Sequence, residues 1–305
     1  MKRLIIIFSS IIAVELIIIA IQIKSAQNSI PEDEKEKVVI VLGDTVGKRH
    51  NDKNDIIVND CRHFFVDYNK KKETILYINH ETEAIEKNIW TGETKKIEIP
   101  AFTEWRRAGN GKQVHNLQYG LRNQDLNFIY DEEIYSYDMI EQTLQKITKC
   151  DAGGWCHIYQ WKNSNELLTA YFVKDAPTDE WLQLMSYDLN KHEEKQIIYG
   201  TVVSFILNDD GNKIYAVRKL IKENLITYNY AYGIVEIDPS EGTEKLLTYI
   251  KDVDISVPLT CIDDQYLYYV EYVNHDICKV NCLNLQTGKK KCVYKTKMCV
   301  VGIVN

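Results

Sequence analysis

The sequence predicts an all-β protein, a β-propeller of four-stranded blades preceded by one transmembrane helix. Three observations predict it. Five units of near-equal length repeat one strand-turn pattern from about residue 64 to residue 297. Tyrosine is abundant (20 residues) and proline scarce (5), and aromatic and β-branched residues favour strands. Only the first two dozen residues form a continuous apolar run.

That run comes first. Met1-Lys2-Arg3 precedes Leu4 to Ile23, which is apolar except for Ser9, Ser10, Glu15 and Gln22. Its length is close to the roughly 20 residues a helix needs to cross the hydrocarbon core. A cleaved signal peptide has a shorter apolar region, about 7–15 residues, ending in small side chains. Here only Ser25-Ala26 resembles a cleavage site, and Lys24 stands where a small residue is wanted. An uncleaved single-pass anchor is therefore favoured over a secreted, processed chain. No cysteine precedes Cys61, so no lipid-anchor site lies beside the segment. Glu15, near mid-span, is costly if ionised and points to protonation or a partner helix. The amino terminus, Lys2 and Arg3 face the acidic run Glu32-Asp33-Glu34 across the span, which places the bulk of the chain outside the cytoplasm. Residues 1–23 are thus an anchor or signal, 24–36 a polar tether, and 37–305 the propeller domain.

With 44 acidic against 37 basic residues the net charge is −7, which gives no reason to expect nucleic acid as a partner. After the tether, Val38 to Leu42 and Ile56 to Val58 read as strands separated by a polar loop.

The repeat decides the fold. Its fourth strands begin at Lys96-Ile97, Lys146-Ile147, Gln196-Ile197, Lys245-Leu246 and Lys291-Cys292-Val293, at steps of 50, 50, 49 and 46 residues. Third strands precede them at Asn88-Ile89-Trp90, Ser136 to Asp138, Ser186 to Leu189, Val235 to Asp238 and Cys282 to Leu285, with the alternation of half-buried strands. Second strands are Ile75 to Ile78, Leu126 to Tyr130, Leu167 to Val173, Ile214 to Val217 and Tyr266 to Val270. First strands are Phe64 to Asp67, Val114 to Leu121, Cys156 to Trp161, Val202 to Leu207 and Val257 to Ile262. Four short antiparallel strands per unit make a propeller blade. Met298 to Val304 reads as the first strand of a sixth unit, which residues 37–60 could complete by joining the chain ends in one sheet. Five complete blades with irregular termini is the alternative; a sandwich or open solenoid is the structural runner-up.

Tyr268-Tyr269 followed by Leu285-Gln286-Thr287-Gly288-Lys289, and Tyr77 followed by Trp90-Thr91-Gly92-Glu93, resemble the repeats of bacterial extracytoplasmic propellers of the TolB-like and low-density-lipoprotein-receptor-like kind. These include an uncharacterised group in Gram-positive bacteria behind a single anchor helix. The resemblance implies a binding or scaffolding module and carries over no catalytic residue.

The chemistry-bearing residues form no recognised motif. Seven histidines (50, 63, 80, 115, 157, 192, 275) are scattered, and Gly-x-Ser-x-Gly and phosphate-cradling glycine loops are absent. Asp209 to Asn212 lacks the later ligand of a calcium loop and reads as a β-turn, as does Asp263-Asp264. No metal or cofactor is expected. Of eight cysteines, Cys150 and Cys156 bracket a glycine turn and are the candidate disulfide. Cys278 and Cys282 share a strand face, too far apart to bond directly, with Cys292 or Cys299 as alternative partners. Zinc fits this cluster poorly, because 292 and 299 form no second knuckle. Candidate binding residues are aromatic or basic: Trp105, Arg106 and Arg107 in an expected flexible loop, Trp155, and Tyr228 and Tyr230 at strand spacing. The favoured function is a membrane-tethered, non-enzymatic module binding an envelope protein, peptide or glycan. The rivals are a lyase or glycosidase propeller with its site at the central funnel, and an accessory or sensor subunit of a membrane complex.

Overall fold

A computed structural model describes residues 39–43, 55–58, 66–79, 81–108, 114–121, 124–131, 133–148, 155–172, 182–208, 210–220, 231–250, 259–262, 264–273, 277–297 and 299–304. The apolar segment 4–23 and the tether lie outside them. Among the described residues no helix is long and apolar enough to cross a membrane.

Five four-stranded antiparallel sheets follow one another along the chain. Blade 1 is β3 (Asp67–Asn69), β4 (Thr74–Ile78), β5 (Ala84–Asn88) and β6 (Thr94–Ile97). Blade 2 is β7 (Val114–Tyr119), β8 (Asp125–Tyr130), β9 (Glu133–Asp138) and β10 (Thr143–Thr148). Blade 3 is β11 (Trp155–Asn163), β12 (Glu166–Phe172), β13 (Leu182–Asp188) and β14 (Glu193–Ile198). Blade 4 is β15 (Val202–Leu207), β16 (Ile214–Leu220), β17 (Ala231–Asp238) and β18 (Thr243–Ile250). Blade 5 is β19 (Leu259–Ile262), β20 (Tyr266–Val273), β21 (Ile277–Asn284) and β22 (Lys290–Thr296).

The two chain ends build a further sheet from β1 (Val39–Gly43), β2 (Asp55–Val58) and β23 (Cys299–Val304), in the order β2-β1-β23. β1 runs antiparallel to β23, Val39 opposite Val304, and parallel to β2. β23 touches β19, β20 and β21 of blade 5 on one side and β3 of blade 1 on the other. This three-stranded sheet therefore sits between the last and first blades and closes the ring, as the expected joining of the chain ends requires.

Second strands are the most deeply buried: Ile75, Leu76, Leu126, Phe128, Leu167, Leu168, Ile214 and Leu267 are almost inaccessible. They are covered on both faces by neighbouring blades, so apolar residues run consecutively rather than alternating. Separate apolar clusters fill the boundaries between blades 1 and 2, 2 and 3, 3 and 4, and from blade 4 through blade 5 to the terminal sheet.

Two local expectations are corrected. The first unit's third strand ends at Asn88, with Ile89 and Trp90 in the turn, because the Asn88 side chain accepts the N–H groups of Trp90 and Thr91. Trp105 to Arg107 lie in no flexible loop but in helix α1 (Pro100–Ala108). Pro100 occupies the first helical position, where its missing N–H costs nothing. Phe102 and Trp105, three residues apart, then share the face turned to the core.

Strand alternation gives the ring two unlike faces. One, the turn face, carries the tight turns between first and second strands and the hairpins between third and fourth. The other, the connection face, carries α1 and the described strand ends at which blades join or second strands give way to third.

Candidate functional site: the connection face and the inner strands

The inner strands β3, β7, β11, β15 and β19 are tied across blade boundaries by side chains. Asp67 Oδ2 accepts the Tyr119 N–H at 2.7 Å. The Gln118 amide donates to Tyr159 O at 2.9 Å, while the Tyr159 hydroxyl donates to Asn116 O at 3.0 Å. Gln160 Oε1 accepts the Leu207 N–H at 2.9 Å, and the Asn208 amide donates to Asp264 Oδ2 at 3.2 Å. Every boundary from blade 1 to blade 5 thus has at least one polar link. The Gln118 and Tyr159 bonds are buried, where an unsatisfied polar group costs free energy, so they fix how blades 2 and 3 sit; the other links are part-buried.

The densest polar group lies between blades 1 and 2. The Tyr119 hydroxyl donates to Glu86 Oε1 at 2.7 Å, with the Thr74 hydroxyl 2.9 Å from the same phenol oxygen. Lys72 Nζ stands 3.5 Å from Glu86 and 5.4 Å from the Tyr119 ring centre. Burial raises the Tyr119 phenol far above its ordinary range, and the Glu86 carboxylate adds to this. Asp67 is packed round by chain while water still reaches part of it. Burial pushes its pKa up to about 6, against the N–H groups of Tyr119 and Tyr68, which favour the anion.

The described inner strands carry one acidic residue, Asp67, two histidines, His115 and His157, and Lys162; the His157 side chain lies outside the described ones. His115 lies four residues before Tyr119, the residue Asp67 binds, with a β-bulge between them. Other polar side chains of these strands include Asn69, Asn116, Gln118, Tyr159, Gln160, Ser204 and Thr260. Among the described residues no group of three or more His, Cys, Asp or Glu side chains could hold a metal ion.

On the connection face, α1 covers the boundary between blades 1 and 2. The Trp105 indole lies flat on Tyr130, ring centres 3.6 Å apart and 3° from parallel, with Phe128 edge-on and Tyr135 tilted beside it. Packing therefore accounts for Trp105, which is half-buried. Burial, then the hydrogen bond to Glu133, pushes Tyr135 up to about 12. Arg106 donates to Glu81 O at 3.0 Å and stands 3.9 Å from Glu83, fastening the helix to the β4–β5 turn. Arg107 and Glu104 are exposed.

Trp155 opens β11 at the same face. Tyr228 and Tyr230 lie outside the described residues, in the stretch joining β16 to β17, whose described ends also open there. Among the described residues, Trp105, Arg106, Arg107 and the start of β11 at Trp155 thus belong to one face, a grouping that their scattered positions in the sequence concealed. The Cys150–Cys156 pairing falls outside the described side chains. Cys282 opposes Lys291 and Cys292 opposes Asn281, so Cys282 and Cys292 point to opposite faces of blade 5 and do not meet. The Asp67–Tyr119–Glu86 network went unread in the sequence, since its members come from three strands and share no spacing.

No family model matches the chain, and no curated protein matches it. Solved structures do. TolB from Acinetobacter baumannii aligns at a TM-score of 0.55 and 14% identity over 77% of this chain and 54% of that one, so the chain spans about half its length. A putative TolB from Agrobacterium tumefaciens aligns at 0.54 and 11% identity, covering 78% and 83% of the two chains. An oligogalacturonate lyase in complex with manganese aligns at 0.50 and 10% identity, covering 78% and 66%. At such identities the likeness is one of fold, and the fold is a β-propeller like that of the two TolB structures.

Proposed function

We propose that the protein is a membrane-tethered propeller working outside the cytoplasm, where its connection face binds an envelope protein, peptide or glycan. The observation that carries this reading is the division of labour in the ring. Inner strands are cross-linked largely by amides and hydroxyls, while α1 and the described strand ends between blades open at one face. Loops held by a rigid scaffold are the usual place for recognition. The apolar run Leu4 to Ile23 supplies the tether.

The test is capture by the full-length chain, cross-linked in native membranes, compared with an Arg107→Glu variant on the exposed side of α1. One or a few partners should be captured by the wild type and lost from the variant at unchanged melting temperature. Equal capture by both, or turnover of a glycan or peptide panel by the purified chain, would overturn the reading.

A further inference from the structure

The direction of β1 has a bearing on how the ring stands. β23 is an inner strand, running like its counterparts from the connection face to the turn face. β1 is antiparallel to it, with Val39 opposite Val304. The chain therefore joins the ring at the turn face, between blades 5 and 1. Fifteen residues, 24 to 38, separate Val39 from the apolar run, a reach of at most about 50 Å.

The turns flanking that point share an unusual composition for an acidic chain. In blade 1, Lys70-Lys71-Lys72 form the β3–β4 turn, and all three are exposed. In blade 5, Lys289-Lys290-Lys291 leave the β21–β22 hairpin, again all exposed. Apart from Lys72, bound to Glu86, none of the six pairs with a carboxylate among the described residues. The described acids near them are Glu73 in the β3–β4 turn, Glu93 and Glu141 in the outer hairpins of blades 1 and 2, and Asp264, engaged by Asn208, in the β19–β20 turn. At the equivalent hairpin tips of blades 1 and 2 stand Trp90 and Ile140, 69% and 68% exposed. No packing demand explains either, since the turn itself is held by the Asn88 and Asp138 side chains.

We propose that the turn face is a footing for an anionic lipid surface. The two lysine triplets meet the headgroups, and Trp90 and Ile140 dip into the interface. Clustered lysines beside an anchor attract anionic lipid, and tryptophan favours the water–hydrocarbon boundary. The footing holds the ring upright on the membrane with its connection face outward. It rests on the tether reading for proximity and on the turn residues for orientation.

The full-length chain is reconstituted into phosphatidylcholine vesicles with or without phosphatidylglycerol and followed by hydrogen exchange. Turns 70–73, 89–92 and 285–291 should gain protection in the anionic vesicles, lose it in high salt, and leave α1 unchanged. A quadruple variant, Lys70→Ser, Lys71→Ser, Lys289→Ser and Lys290→Ser, should lose most of that protection, since each lysine contributes about 1 kcal/mol at an anionic surface. Retention in carbonate-washed vesicles with no gain at these turns, or a gain at α1 instead, overturns the footing while the tether stands. Release by carbonate with salt-sensitive protection in the anionic vesicles overturns the tether and upholds the footing.

Discussion

Asp67 is where a single proton matters to the ring. Its folded pKa of about 6 lies above the ordinary value of 3.8, so the native state takes up the proton more readily than the unfolded chain. The stability this favours is therefore fully present below about pH 4 and lost as pH rises to about 6. Asp67→Asn keeps an acceptor for the Tyr119 N–H and removes the ionisation. The variant should gain about 1–3 kcal/mol at pH 7.5 and little at pH 4, read from urea unfolding at both values. An equal change at the two pH values would show that shape rather than charge was altered. Nothing about Asp67 in the sequence marks it out, since the N–H it accepts is that of Tyr119, 52 positions away.

At the level of elements, the hairpins between third and fourth strands explain why the repeat was readable. Asn88, Asp138, Asp188, Asp238 and Asn284 each accept N–H groups two and three residues on. Four residues beyond each, at Gly92, Gln142, His192, Gly242 and Gly288, the backbone turns to positive φ. Glycine adopts that conformation without strain and other residues do not. Gln142→Gly should thus raise stability by up to about 1 kcal/mol. Gly242→Ala, whose new Cβ would stand 2.9 Å from Ile197 O, should lower it by about 1–2 kcal/mol. Thermal melts of the two variants check the pair, and a shift of the same sign in both would refute the account. The aliphatic residues that signalled three fourth strands have a structural use as well. Ile147, Ile197 and Val293, with Leu247, are the extra residues of β-bulges at one place in blades 2 to 5. Such bulges, with the exposed lysines beside them, keep outer strands from pairing with other chains. Helix α1 escaped the reading because nine residues give little more than two turns of periodicity, although Pro100 and the Phe102–Trp105 spacing were its signals.

Across the whole molecule, the joining of the chain ends was legible because Met298 to Val304 lacked a local partner. The parallel pairing of β1 with β2 was not, since a parallel neighbour leaves no hairpin signature. Ending the chain after Lys297 removes β23 and with it the inner strand of the closing sheet. Amide protection should then be lost throughout β1 and β2 while blades 2 to 4 keep theirs. Protection of β1 persisting in the truncated chain would show that the ring closes by other means.

The pairing of Val39 with Val304 also sets an order in time. Each four-stranded blade can form from contacts within about fifty residues as it is synthesised, whereas β1, among the first strands made, must wait for the last. Long-range pairing of this kind is slow, and a waiting strand edge is open to wrong partners. Refolding should accordingly end in a late phase that follows the chain ends alone, unmoved by substitutions inside blades 2 to 4.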